Sequence, residues 1–180
     1  MNQDKEIAIL EAAEEMVRQG GYNCFSFRNI ATVVGIKSSS VHYHFSTKED
    51  LGVAVTKFYT EKFLGSLGDP TQLIESGKDP ISAYVAAFRN ALSEDKGMCM
   101  CGMLGAEAAD LPEAIVYEIK RFFERNIEWL EQAFRAKGVD ESVINKKALQ
   151  AMSALEGAML ISNVSNDLSL FDLSTEHLAT

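Results

Sequence analysis

Proline and cysteine are both scarce in this chain, at three residues each out of 180. So few prolines, beside many alanines, glutamates, leucines and methionines, point to an all-α fold, because proline costs about 3 kcal/mol inside a helix and the others are good helix formers. The cysteines (Cys24, Cys99 and Cys101) are odd in number and are expected to be thiols rather than a disulfide framework. No apolar run approaches the roughly 20 residues of a membrane span. The opening MNQDKEIAILEAAEEM is acidic and amphipathic, unlike a signal peptide. A soluble, cytoplasmic protein with no membrane partner is therefore expected. A nucleophile with its base, a glycine-rich phosphate loop and a paired-acid motif are all missing, so neither an enzyme nor a cofactor is expected. Nor is a metal. His42 and His44 stand two apart, and such residues diverge on a helix; Cys99 and Cys101 supply only two of the usual four soft ligands.

What is present suffices for a folded protein. A chain of this length buries roughly 70% of its unfolded surface and reads as one compact domain or a small domain fused to a larger one. The net charge of −9 would by itself argue against a polyanionic partner, but its distribution reverses the argument. Residues 1–62 carry seven Lys/Arg against eight Asp/Glu, so nearly all of the excess lies beyond them. Within that segment the acids Glu6, Glu11, Glu14 and Glu15 crowd the opening helix, where they read as a solvated face. From Ser26 to Lys48 there are Arg28, Lys37 and Lys48 and no acid. A local positive face on an acidic body suits a protein that reads DNA without clinging to it everywhere.

The stretch from Ser26 to Leu51, SFRNIATVVGIKSSSVHYHFSTKEDL, carries helix punctuation at every boundary. Ser26 is placed to cap a helix, with Phe25 and Ile30 at the spacing of a hydrophobic staple. Gly35 ends that helix, since a left-handed turn costs glycine nothing. A second helix follows with Val41 and Phe45 on its inner side, leaving Ser39, Ser40, Tyr43 and His44 outward. Thr47 caps the next, with Asp50 as its third-position acid. Two short helices about a glycine turn, the second rich in small polar and aromatic side chains, are a helix-turn-helix signature.

The run from Gly20 to Leu51 resembles, without a gap, the DNA-binding segment of the TetR family of bacterial repressors, through Gly21-Tyr22, Ser26-x-Arg28-x-Ile30-Ala31, Gly35-Ile36 and His44-Phe45-x-Thr47-Lys48-Glu49-x-Leu51. His42 stands where the family commonly has an aromatic. Lys37 stands where the family places a capping Ser or Thr; Ser38 is the expected substitute, which leaves the helix start open by one residue. The resemblance implies a helix-turn-helix domain over 1–46 and a helical ligand-binding and dimerisation domain over 47–180. It also implies a double-stranded DNA operator as partner. Tyr43, His44 and Lys48 are expected at phosphates, Lys37, Ser38, Ser39 and Ser40 nearer base edges, with Arg28 and Thr47 flanking.

Beyond the motif, periodicity predicts helices over about 4–19, 47–64, 80–94, 103–110, 112–137 and 141–166, with GSLGDPTQLIESGKDP a loop holding at most one helical turn. An apolar tail follows. Ile144, Ala148, Ala151, Leu155, Ala158, Met159 and Ser162 form a stripe of small residues suited to close helix approach. It reads as core or as a dimer face, and the resemblance favours a homodimer through the last long helices, around Leu155 to Met159. A pocket for a small-molecule effector is likewise implied. Helical facing nominates Cys99, Met103, Phe122, Asn126, Met152 and Leu155 to line it, with Trp129 reporting on it. Glu107 is expected either to orient the ligand or to cap a buried polar group. The apolar, sulfur-rich GMCMCGMLGAEAADL is also similar to a segment of TetR-family members that respond to electrophiles or oxidants. That gives the alternative of Cys99, or Cys101, as a reactive sensor with Lys96 nearby to lower a thiol pKa, against simple pocket lining. The competing class is a redox or metal-binding protein that uses Cys99 and Cys101 and has no DNA role.

Overall fold

In the computed structural model, residues 2–93 and 97–178 are described; Lys96 lies outside them. Among these residues the fold is entirely helical, as α1 (Asn2–Gly20), a 3-10 turn (Tyr22–Cys24), α2 (Phe27–Val34), α3 (Ser38–His44), α4 (Lys48–Leu67), α5 (Pro70–Glu75), α6 (Pro80–Ser93), α7 (Met100–Ala106), α8 (Glu113–Ala136), α9 (Glu141–Ser165) and α10 (Leu168–Thr175), with short 3-10 turns after α7 and α10. The chain divides into two compact units, residues 1–62 with 100–122 and residues 63–99 with 123–180.

The first unit closes on Ile9, Ala13, Val17, Phe25, Ile30, Val41, Leu51, Val55, Leu104 and Ile115, all buried. Its local punctuation follows from the sequence. Ser26 accepts from the Asn29 N–H at 3.2 Å, Gly35 takes φ 73° at the end of α2, and Thr47 and Asp50 cap each other reciprocally at 3.0 Å. The opening helix departs from expectation on its acidic side. Glu14 is buried, held by Lys62 Nζ at 3.0 Å with Arg18 at 3.9 Å, so it is a cross-helix ion pair rather than part of a solvated face. An acid takes a core position only when a long cation reaches it, a partnership that periodicity does not reveal.

In the second unit α6, α9 and α10 pack together around Tyr84, Phe88, Leu130, Ile144, Leu155 and Phe171. The stretch read as a loop contains α5. Asp69 caps it by accepting from Thr71 and Gln72, and Gly68 and Gly77 turn at its two ends with φ 77°. Helix α7 begins three residues before its expected start, because Met100 and Cys101 are buried and continue the helical stripe backwards. The small-residue stripe of α9 is core of its own chain. Ile144, Ala148, Ala151, Leu155, Ala158, Met159 and Ser162 are all buried, so a dimer contact through Ala158 is not available. The other side of the helix exposes Leu149, Leu160, Ile161 and Val164, the last at 78%, and α10 exposes Leu173.

Candidate nucleic-acid interface and effector residues

Helix α3 presents a mixed surface. Tyr43 is 76% exposed, and Lys37, Ser39, Arg28 and Thr47 are also exposed, with Ser38 and Ser40 intermediate. The helix starts at Ser38, and its N-cap is Lys37, in extended conformation and without a side-chain capping bond. Ser38 therefore does not serve as the substitute cap. Lysine has no oxygen to offer, so the first turn of α3 forgoes a stabilisation of about 1 kcal/mol, and a long cationic side chain stands at the helix end where base-edge readers sit.

Two residues expected at phosphates are turned inward. The His44 side chain is 5% exposed, with Nδ1 3.7 Å from Glu6 on α1. The Lys48 ammonium lies over the Tyr22 and Phe25 rings, 4.4 and 4.7 Å from their centroids. Burial there pushes its pKa below the ordinary lysine value, against the opposing influence of Cys24 and Glu107. These contacts need α1 and the Tyr22–Cys24 turn folded over α3 and α4, which the motif alone does not specify. His42, exposed, lays its ring against Phe27 at 4.5 Å.

The residues expected to line one effector pocket belong to both units. In the first unit Met103 is half-buried, and Phe122 is buried against Tyr59 with ring centroids 5.6 Å apart. Glu107 takes the capping role: its Oε2 accepts from the Tyr22 N–H at 2.9 Å. In the second unit Asn126 and Met152 meet through Tyr84 of α6. The Tyr84 hydroxyl donates to Asn126 Oδ1 at 2.7 Å and approaches Met152 Sδ at 3.4 Å. Tyr84 also stacks on Phe88 at 5.4 Å and lies 5.3 Å from Trp129, with Phe63 edge-on to both Tyr84 and Phe88. Trp129 Nε1 donates to the Gly68 carbonyl at 2.9 Å. Leu155 is buried.

Cys99 is 1% exposed and Cys101 is fully covered, whereas Cys24 is exposed. The Cys99 N–H donates to Met159 Sδ at 3.0 Å. Burial raises the Glu156 carboxyl above its usual range, opposed by a hydrogen bond with the Cys99 thiol, and one buried Glu156 oxygen has no partner. Burial likewise holds the Tyr84 hydroxyl well above the usual tyrosine range, with Cys99 and Glu156 adding to it. Neither Tyr84 nor Glu156 stood out as a site residue in the sequence. The available signals were a tyrosine within an apolar stripe and a single acid within a stripe of alanines. A surface depression of about 400 Å³ in this unit is lined instead by Leu92, Ser93, Ser162, Asn163, Asn166, Asp167 and Leu168. No helix among the described residues is long and apolar enough to cross a membrane.

A capped helix, a left-handed glycine turn and an exposed, hydroxyl-rich second helix, braced from behind by α1, define a helix-turn-helix DNA-binding protein. Residues 9–55 match the bacterial regulatory proteins of the tetR family, and residues 79–177 match the LmrA/YxaF-like transcriptional regulator C-terminal domain. A TetR transcriptional regulator from Legionella pneumophila is 31% identical, with a TM-score of 0.86 over 96% of this chain and 94% of that one. One from Agrobacterium tumefaciens is 27% identical, with a TM-score of 0.84 over the whole of both chains. The HTH-type transcriptional regulator YezE of Bacillus subtilis is 26% identical over 74% of this chain and 70% of its own. The chain belongs to the TetR family of transcriptional regulators.

Proposed function

We propose that this regulator is a ligand-responsive repressor that binds a near-palindromic operator as a homodimer and is released by a small, largely apolar effector. The observation carrying the effector reading is the interior of the second unit. There a Tyr84–Asn126 hydrogen bond is set among Phe63, Phe88, Trp129 and Met152, and Glu156, whose charge acts on Tyr84, has a buried oxygen without a partner. A packed interior does not leave a polar atom unpaired without cost, and an aromatic wall with a few convergent polar groups is what a small-molecule site requires. Support for the homodimer is the apolar outer side of α9. Leu160, Ile161 and Val164 are exposed together there, and in a dimer such a patch leaves water. The mechanism is a population shift: the effector favours a spacing of two reading heads that no longer matches successive major grooves.

Light scattering on the purified chain should give a dimer, and a monomer that still binds a full operator tightly would end this reading. Trp129 is the chain's single tryptophan. Titration with a panel of small apolar compounds should therefore change its fluorescence and release DNA over the same concentration range, because one equilibrium governs both. The thiol-sensor alternative has less support, since a cysteine as covered as Cys99 offers no approach to an oxidant. N-ethylmaleimide separates the two readings. A variant lacking Cys24, Cys99 and Cys101 should still release DNA to the apolar compounds. If only the wild type responded, and only to maleimide, thiol sensing would replace reversible binding.

A further inference from the structure

Glu107 was a plausible effector contact, yet its carboxylate is spent elsewhere, on the backbone of the reading head. The Tyr22–Cys24 turn follows α1 and precedes α2, and its N-cap, Gly21, has no side chain with which to cap it. The first N–H of the turn, that of Tyr22, is instead satisfied by Glu107 Oε2 at 2.9 Å, from 85 residues away in sequence. The carboxylate fills the space where a Gly21 side chain would stand: a Cβ there would lie 1.8 Å from Glu107 Oε1, and Gly21 has φ +77°. The backbone of Glu107 is held at the end of α7, where its N–H donates to the carbonyl of the buried Leu104 at 3.1 Å. On the other side the turn bears on the DNA-reading elements. Tyr22 packs edge-on to Phe25 at 5.5 Å, directly before the Ser26 cap of α2, and both rings carry the Lys48 ammonium at the start of α4.

We infer that Glu107 is a positioning residue for the DNA-reading helices, capping the Tyr22–Cys24 turn from the end of α7 and so setting the angle at which α2 and α3 leave α1. A carboxylate accepting a backbone N–H is a charge-assisted hydrogen bond, stronger than a neutral one. Without it the Tyr22 N–H loses its acceptor and the turn samples other conformations. DNA must then select the competent one, and apparent affinity falls in proportion to its population.

The test uses the full chain and a duplex recovered by selection from a random-sequence library against the wild type. Glu107→Ala should bind that duplex roughly tenfold more weakly with an unchanged salt slope, because no phosphate contact is lost. Glu107→Gln keeps an oxygen able to accept from Tyr22 and should stay within about twofold of wild type, on the same net-bond reasoning. Amide exchange of Tyr22 to Phe25 should quicken in the alanine variant and not in the glutamine one, while α9 is unaffected. Should Glu107→Ala fail to fold, Glu107→Asp decides: it keeps the charge but draws the carboxylate back by one methylene from the Tyr22 N–H, and should show the same weakened binding. Equal binding by wild type and alanine variant would overturn the inference. So would a glutamine variant as poor as the alanine one, or tighter binding by both, which is the outcome if Glu107 acts only by repelling phosphate.

Discussion

The helix-turn-helix motif and the interhelical contacts of the second unit differ in how far their polar bonds reach along the chain. Within the motif the caps are local, Ser26 to Asn29 and Thr47 to Asp50, each three residues apart, and its long-range polar contacts come from outside it, as Glu107 does to Tyr22. Between helices of the second unit the bonds span 42 residues from Tyr84 to Asn126, 60 from Cys99 to Met159 and 83 from Arg89 to Asp172. Local caps make a unit whose geometry is specified by short words in the sequence and can recur across many proteins. Long-range contacts make a unit whose polar groups can be exchanged without changing its outline. One part reads a constant object, the DNA backbone; the other, under the function proposed above, suits a particular small molecule.

Substitutions that exploit this difference have graded effects. The largest is expected from Ala158→Arg. It places a charge in the buried stripe of α9 and should destabilise the second unit by about 3–5 kcal/mol, the scale for an unpaired buried charge, visible as a lower denaturant midpoint. It should act by unfolding, not by dissociating a folded dimer. Leu160→Arg with Val164→Arg alters the exposed side of the same helix. The chain should stay folded but elute as a monomer, with operator affinity reduced about 100-fold as the second head's contribution is lost. Tyr84→Phe removes the donor to Asn126 and should cost about 0.5–1.5 kcal/mol in chemical denaturation, the net range for one lost hydrogen bond.

Glu156 gives a smaller, pH-dependent effect. Its folded pKa is raised above the unfolded value, so the unfolded state releases its proton first as pH rises. Stability is then lost from the ordinary glutamate range upward until the folded group also ionises. Glu156→Gln should flatten that decline in a series of thermal midpoints against pH. The smallest effect separates two cations of the head. Arg28→Ala should reduce the salt slope of DNA binding by about one unit, whereas Lys48→Ala, whose ammonium already rests on two rings, should leave the slope nearly unchanged while weakening affinity slightly.

Legibility in the sequence divided along the same line. The caps at Ser26 and Thr47, the glycine turn at Gly35 and the boundaries of α8 and α9 could be read directly, because each depends on residues within one turn of the boundary. The inward turn of His44 and Lys48 could not, since it depends on Glu6, Tyr22 and Phe25 arriving from α1 and the turn after it. Ala158 misled for a related reason. Small residues permit close approach without saying whether the neighbouring helix belongs to the same chain, and here α9 meets α6 and α10 of its own. Glu107 had two readings of equal standing from its isolation among apolar residues. Only the position of Tyr22 separates them.

The compact unit that contains the reading head is assembled from two separate lengths of chain, 1–62 and 100–122. Besides the Glu107 contact, Gly52 on α4 faces Ile115 on α8, whose Cδ1 would lie 2.5 Å from an added Cβ and would have to move. Exchanging heads between relatives to redirect what such a regulator reads is therefore not a matter of joining at residue 46. A transplant of the first 46 residues alone would meet a foreign α7 with no carboxylate for the Tyr22 turn unless the recipient happens to supply one. A chimera that carries both lengths keeps the turn, its remote cap and the Gly52–Ile115 fit together, and is the one expected to read its donor's operator at the donor's strength.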